Sequence, residues 1–337
     1  MREEFNKRPS ILVIADFPNW AYFEIQQFIK LQLSDEYDIY SDFLIFHSEK
    51  KSLNPFSRLK MLRDKVKYQD IKADKNYHIV VFLGFYFTDQ MSINFTADKV
   101  VKGIFTDGFP PSNANFDGNL EDFVGKYFSN TDAIVCGSSL IKDFYSSHMD
   151  RAYFANASLD DELFRRLEDK QLNNTSKFIV GWTGNPKREF KGYYTHILPA
   201  VELAKQKYPS IELKVRFSGP IDMLPSFYND VDVVLIASEK DAGPSLFGEA
   251  SLMEVPSIST DIGWPHDVIR SGENGFIVER NVEAISERLI FLYENRQELF
   301  LMSKKIRGDY LDVFNSDDMA KRWKSIFSEL VNKTNGN

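Results

Sequence analysis

Two Rossmann-like α/β domains, each built on a parallel sheet, are predicted from three features of this 337-residue chain. Short runs of Val, Ile, Leu and Phe alternate with longer amphipathic stretches, as in parallel strands buried on both faces and joined by crossover helices. The same alternation recurs in the second half. A polar cluster, RRLEDKQLNNTSK at 165–177, separates the halves and is the linker candidate. At roughly 100–200 residues per domain, the length also gives two domains.

The elements follow in order. The first half gives strand 11–15 (ILVIA), helix 20–33, strand 42–46 (DFLIF), strand 79–84 (IVVFLG), strand 100–105 (VVKGIF) and strand 132–136 (DAIVC). In the second half, strand 177–182 (KFIVGW) precedes helix 192–206. Strand 211–217 (IELKVRF), a short helix 222–229 and strand 232–237 (DVVLIA) come next. Helix 244–253, strand 257–260 (SIST), helix 265–270, strand 275–278 (GFIV) and helix 281–293 complete the set. The tail 315–331 reads as a helix capped by Ser316, Asp317 and Asp318. Met319, Trp323, Ile326, Phe327 and Leu330 lie on one stripe of it. The expected organisation is a first domain over 1–165, a second over 177–314 facing it across a cleft, and a helix in 315–337 packing back onto the first.

Composition narrows the function. With 43% apolar and 27% charged residues, the chain is neither disordered nor of low complexity. A net charge of −8 argues against bulk nucleic-acid binding, which needs a basic face. The single Cys136 excludes an intrachain disulfide and a cysteine zinc site. His47, His78, His148, His196 and His266 show no metal-ligand spacing, and no GxSxG, P-loop or GxGxxG pattern occurs. The apolar run near the start is too short for a signal peptide, and no window approaches the ~18–20 apolar residues of a membrane span. A cytoplasmic protein is expected.

The most informative segment is 238–269. A strand ends, a polar loop containing Gly and Pro follows, and a helix starts near Pro244, a favoured first-turn residue. Asp241 in the loop and Glu249 on the helix both sit at the carboxyl end of a parallel strand, where open α/β sheets bind ligands. The amides of Ser245, Leu246 and Phe247 at the helix start suit an anion. A helical Glu one turn further suits a ribose diol.

The stretch DAGPSLFGEASLMEVP (241–256) resembles the donor-binding signature of retaining glycosyltransferases of the GT-B fold, family 4: an acidic residue, seven residues, Glu, then small and apolar residues and Val-Pro. Glu249, Ala250, Val255 and Pro256 fall on that pattern, and Asp241 stands where Glu is common. FIVGWTGNPKREFKGYY (178–194) is similar to the opening of that family's second domain. The resemblance implies that Lys191, with Arg188 or Lys187, clamps the donor diphosphate and stabilises charge on the leaving group. It implies that Glu249 holds the ribose hydroxyls. Asp241 and the amides at 244–247 would orient the sugar. Gly184 and Gly219 would shape the nucleotide pocket, and Asp107 would stand where the family carries a His. ANASLDDELF (155–164), MLPSFYNDVDVVLIAS (223–238) and TDIGWPHDVI (260–269) resemble flanking parts of the family pattern.

The activity so implied is retaining, metal-independent transfer of a sugar from a nucleoside-diphosphate donor to a glycan or lipid-linked acceptor, as in polysaccharide biosynthesis. No cofactor is expected beyond the donor, with UDP or GDP as its nucleotide. The alternative is a degenerate GT-B binding or scaffold subunit, motivated by Asp241, by Asp107 and by the lack of a Gly pair after the first strand. Residues 50–67 offer one further partner. Phe56, Leu59, Leu62 and Val66 form a helical stripe among seven cations, so an anionic membrane surface is weighed there against a plainly solvated helix.

Overall fold

In a computed structural model, which describes residues 8–47, 55–91, 94–106, 109–111, 114, 116–166 and 177–332, the apolar runs form two parallel sheets, each in its own compact unit. The first unit takes the residues up to Phe105, Phe109–Ser158 and the stretch from Ser316 onward. The second takes Leu159–Asn315, together with Thr106.

The first unit runs β1 (Ser10–Ala15), α1 (Ala21–Leu33), β2 (Asp38–Phe43), α2 (Pro55–Tyr68), β3 (Asn76–Phe82), β4 (Thr96–Ile104), α3 (Leu120–Phe128), β5 (Ala133–Cys136), α4 (Ser139–Ser146) and β6 (Ala152–Phe154). Its six-stranded sheet has the order β2-β1-β3-β4-β5-β6, and each pairing is parallel. All six residues of β1 are buried, as expected of a strand flanked by β2 and β3. One expectation shifts here. The strand expected at 42–46 lies earlier, because Asp38–Phe43 pairs along β1 and Leu44–Phe46 turns into a 3-10 helix. Leu44 and Phe46 form that turn's buried side, so burial alone does not mark a strand there. Cys136 is buried in β5, and burial pushes its thiol up, so it stays protonated.

The second unit runs β7 (Phe178–Thr183), α5 (Leu198–Lys207), β8 (Ile211–Arg216), α6 (Leu224–Asn229), β9 (Val233–Ile236), α7 (Ser245–Leu252), β10 (Ser257–Ser259), α8 (Gly263–Val268), β11 (Phe276–Ile277), α9 (Val282–Glu294) and α10 (Arg296–Phe314). The sheet order is β11-β10-β9-β7-β8. The chain therefore turns from β8 back past β7 to β9. Such a reversal opens a crevice at the carboxyl ends of the strands. Helix α10 has no counterpart among the expected elements. Its Leu299, Met302, Ile306, Tyr310 and Phe314 are buried at helical spacing, but cations and Gly308 interrupt the pattern in the sequence. Tyr310 and Phe314 stack on each other and meet Trp264 of α8. The helix expected over 192–206 is split: a π-helical turn at Tyr193–Ile197 precedes α5.

The last helix, α11 (Ser316–Asn332), packs in the first unit against α1 and β3. It buries Met319, Trp323, Ile326, Phe327 and Leu330. The Trp323 indole N–H donates to the Asn156 carbonyl at 2.9 Å, and Tyr37 meets Phe327 edge-on at 5.6 Å.

Candidate active site

The crevice at the β7–β9 reversal holds a cavity of about 350 Å³ within the second unit. Thr183, the last residue of β7, and Arg216, the last of β8, open onto it, and so does Glu249 from α7. Each is delivered by the carboxyl end of a strand or by the helix that follows one.

Glycines set the walls. Gly184 has φ +144° and donates its amide to the Arg216 carbonyl at 3.1 Å, which ties the ends of β7 and β8 together. Gly192 has φ +69° and closes the 3-10 turn Glu189–Lys191. A Cβ there would stand 2.6 Å from the Ala237 carbonyl oxygen, so only glycine fits. The Glu239 amide donates to the Phe190 carbonyl at 2.8 Å, clamping this turn to the loop after β9.

Lys191 is thereby fixed on the cavity wall, its Nζ in an ion pair with Asp241 Oδ2. Asp241 Oδ1 accepts from the Gly243 amide at 3.3 Å. Arg188 and Arg216 also line the cavity. The Arg216 guanidinium donates to the Pro220 carbonyl at 2.7 Å and so shapes the turn through Gly219.

Glu249 is 7% exposed. Its Oε2 accepts a 2.6 Å hydrogen bond from the fully buried Tyr228 hydroxyl, which also lies 3.3 Å from Thr183 Oγ1. Burial pushes the Glu249 carboxyl above its usual value. The Tyr228 bond and the charges of Arg216 and Lys191 act the other way. Burial also raises the Tyr228 phenol well above its usual value, and the Glu249 charge adds to that, so the shared proton stays on the tyrosine.

Helix α7 starts at Ser245, with Pro244 as its N-cap and no side-chain cap. The Phe247 amide already donates to the Pro244 carbonyl at 2.8 Å. Ser245 and Leu246 are the first-turn residues that line the cavity, so their end of the helix faces an incoming anion.

Gly184, Arg188, Lys191, Gly219, Ser245, Leu246 and Glu249 are thus brought together around one cavity. Asp241 reaches the group through Lys191. Lys187, Pro244 and Phe247 stand beside the cavity in sequence but are not among its lining residues. Asp107 lies outside the described residues. Sequence reasoning missed Tyr228, Arg216 and Asn185. The signal for Tyr228 was a lone polar aromatic in the short segment before β9. His266 pairs with Asp261 at 2.8 Å in an exposed position, and burial, with the Arg280 charge, lowers the His196 imidazole. Among the described residues, no group of three or more His, Cys, Asp or Glu is placed to hold a metal ion. No helix among them is long and apolar enough to cross a membrane.

Comparison with known proteins places the same region. Residues 161–308 match the family described as Glycosyl transferases group 1. The chain is 23% identical over 210 residues to the capsular polysaccharide biosynthesis glycosyltransferase CapM of Staphylococcus aureus, covering 54% of each. It therefore spans about half the length of that relative. Among solved structures, sucrose-phosphate synthase from Thermosynechococcus elongatus superimposes with a TM-score of 0.68 at 13% identity, over 96% of this chain and 99% of that one. Anabaena HepE in complex with UDP-glucose gives 0.62 at 12% identity, over 96% and 100%. These two likenesses establish a two-domain GT-B fold. The span that matches Glycosyl transferases group 1 lies within the second unit, the one that holds the cavity.

Proposed function

We propose that this chain is a glycosyltransferase that moves a sugar from a nucleoside-diphosphate donor to a hydroxyl acceptor with retention of anomeric configuration and without a metal ion. The observation that carries the reading is the polarity of the second unit's cavity. A buried carboxylate, Glu249, stands at one side, and Arg188, Lys191, Arg216 and the start of α7 stand around it. That is one acceptor for a ribose diol and several donors for a diphosphate.

In the proposed reaction, the acceptor O–H attacks the anomeric carbon as the bond to the β-phosphate oxygen breaks. The acceptor proton passes to that departing oxygen on the same face of the sugar. Lys191 and Arg188 hold the charge that builds there, and the Ser245 and Leu246 end of α7 adds its dipole. These fixed cations do the work that a divalent ion would otherwise do. Asp241 keeps Lys191 in place until a diphosphate takes over its Nζ. Retention rests on the resemblance of 241–256 to the family 4 signature. A UDP donor is supported by the neighbour HepE, solved with UDP-glucose. A glycan or lipid-linked acceptor is supported by the capsular relative.

The test is calorimetric titration of UDP and GDP, with and without EDTA, followed by NMR of the product's anomeric proton. Binding by one of them, unaffected by EDTA and lost in Glu249→Ala, is expected. No binding by either nucleotide would refute the donor site, and an inverted product would refute retention alone.

A further inference from the structure

Strand β8 ends the second sheet, and its outer edge is open. A strand at a sheet edge presents unpaired N–H and C=O groups, a template for another strand, and proteins blunt such edges by shortness, proline or a cover. The other edges here are blunted. β11 has two residues and β6 three, and β2 bridges antiparallel to Asp70 through Ser41. β8 has six residues in unbroken register with β7 and holds no proline. Among the described residues, no strand or bridge covers its far side.

The pairing with β7 decides which groups face out. The Phe178 amide donates to the Ser210 carbonyl at 3.0 Å, and the Gly184 amide to the Arg216 carbonyl at 3.1 Å. Backbone direction alternates along a strand, so Glu212, Lys214 and Arg216 turn their N–H and C=O toward β7. Leu213 and Val215 therefore point theirs outward, as does the Ile211 carbonyl. The Ile211 amide closes a turn onto the Tyr208 carbonyl at 3.0 Å. Side chains alternate too. Ile211, Leu213, Val215 and Phe217 share one face, and Glu212, Lys214 and Arg216 the other. Val215 is 37% exposed and Phe217 46%, and α5, which packs on β8, adds Leu203 at 37%.

We propose that β8 pairs antiparallel with β8 of a second copy of this chain, about a two-fold axis through Leu213, so that two second units share one sheet. The strand selects this occupant because, in that register, it is complementary to itself. Leu213 faces its own copy and exchanges both backbone bonds with it. The Val215 amide donates to the partner's Ile211 carbonyl, and Phe217 falls opposite the partner's Pro209. On the other face, Glu212 stands directly opposite the partner's Lys214, and the axis repeats the pair. Opposite charges at such positions stabilise two strands, and like charges destabilise them. The neighbouring registers are worse. Centring on Glu212 or on Lys214 sets that residue against itself, and centring on Val215 sets Lys214 against Arg216. A register that opposes an outward residue to an inward one loses the hydrogen bonds. Glu212 and Lys214 already meet Lys177 and Asp230 at 2.9 and 2.7 Å, but those pairs are exposed and contribute little. A two-fold contact closes on itself, so pairing stops at the dimer. The proposal does not depend on what the cavity binds.

The test is sedimentation equilibrium of the full chain over a range of concentrations. A reversible dimer is expected. Glu212→Lys and Lys214→Glu each set like charges face to face on both sides of the axis. Each should weaken the dimer about tenfold or more, with far-ultraviolet circular dichroism unchanged. Mixing the two variants restores opposite charges at both places, so the mixture should dimerise as wild type does although neither variant does alone. Hydrogen exchange at the Leu213 and Val215 amides should slow as wild type is concentrated, and should not in either variant. A wild type that stays monomeric would leave the edge to an unlike strand and overturn the proposal. So would a dimer that neither variant weakens, a mixture as weak as its parts, or Leu213 and Val215 amides that exchange as fast in the dimer as in the monomer.

Discussion

Tyr228→Phe removes one hydroxyl and almost no volume, so it isolates a single bond in the candidate site. That bond is 2.6 Å long, runs to a carboxylate and is buried at both ends. A hydrogen bond to a charged group contributes about 1.5–3 kcal/mol. If Glu249 must be ionised and oriented to accept ribose hydroxyls, UDP affinity should fall roughly 10- to 100-fold. The pH dependence gives the sign. Burial already raises the Glu249 carboxyl, and Tyr228, Arg216 and Lys191 hold it down. Losing the Tyr228 bond raises it further, so the acid limb of UDP binding moves to higher pH. The assay is calorimetric titration of UDP and of 2′,3′-dideoxy-UDP across the weakly acidic range. The loss should appear with UDP and vanish with the dideoxy analogue. An equal loss with both ligands, or an acid limb that does not move, would refute the reasoning.

Three other outcomes follow from the same geometry. Lys191→Met should weaken UDP at least tenfold and leave uridine unchanged, because the side chain serves the diphosphate; competition binding separates the two. Glu249→Gln should abolish donor binding yet raise the thermal midpoint at neutral pH. A carboxyl whose folded value is raised destabilises the fold above that value and not below its unfolded value of 4.5, so the gain should disappear as pH falls through that window. Gly192→Ala forces a side chain into φ +69° against the Ala237 carbonyl and should cost about 1–3 kcal/mol in denaturant unfolding.

Much of this was legible in the sequence, for identifiable reasons. Most strands announce themselves because a parallel strand covered on both faces is largely apolar, as β1 and β9 are, whereas the three-residue β6 at the sheet edge has no expected counterpart. Helix α7 and its Glu249 were found because the cap, the anion-binding turn and the acid lie within a few residues of each other. Tyr228 and Arg216 were not, because each comes from a different element and only the closing of the sheet brings them to Glu249. The strand at 42–46 was misplaced because Leu44, Ile45 and Phe46 satisfy the same apolar rule in a 3-10 turn. For α2 the stripe was readable but its direction was not, since Phe56, Leu59, Leu62 and Val66 are exposed. Spacing says which residues share a face, and only packing says whether that face looks inward.

The return of α11 to the first unit bears on how the chain is made. Synthesis delivers β1 through β6 first and the contiguous second unit, Leu159–Asn315, next. Only after both does Trp323, with no exposed surface once folded, leave the ribosome. Until then, the apolar ground that α11 covers on α1 and β3 stays wet. The second unit can complete its folding in chain order, whereas the first must wait, half-built, for residues translated after the second. A nascent chain stalled before 316 would therefore present one finished unit and one that is open to chaperones and proteases.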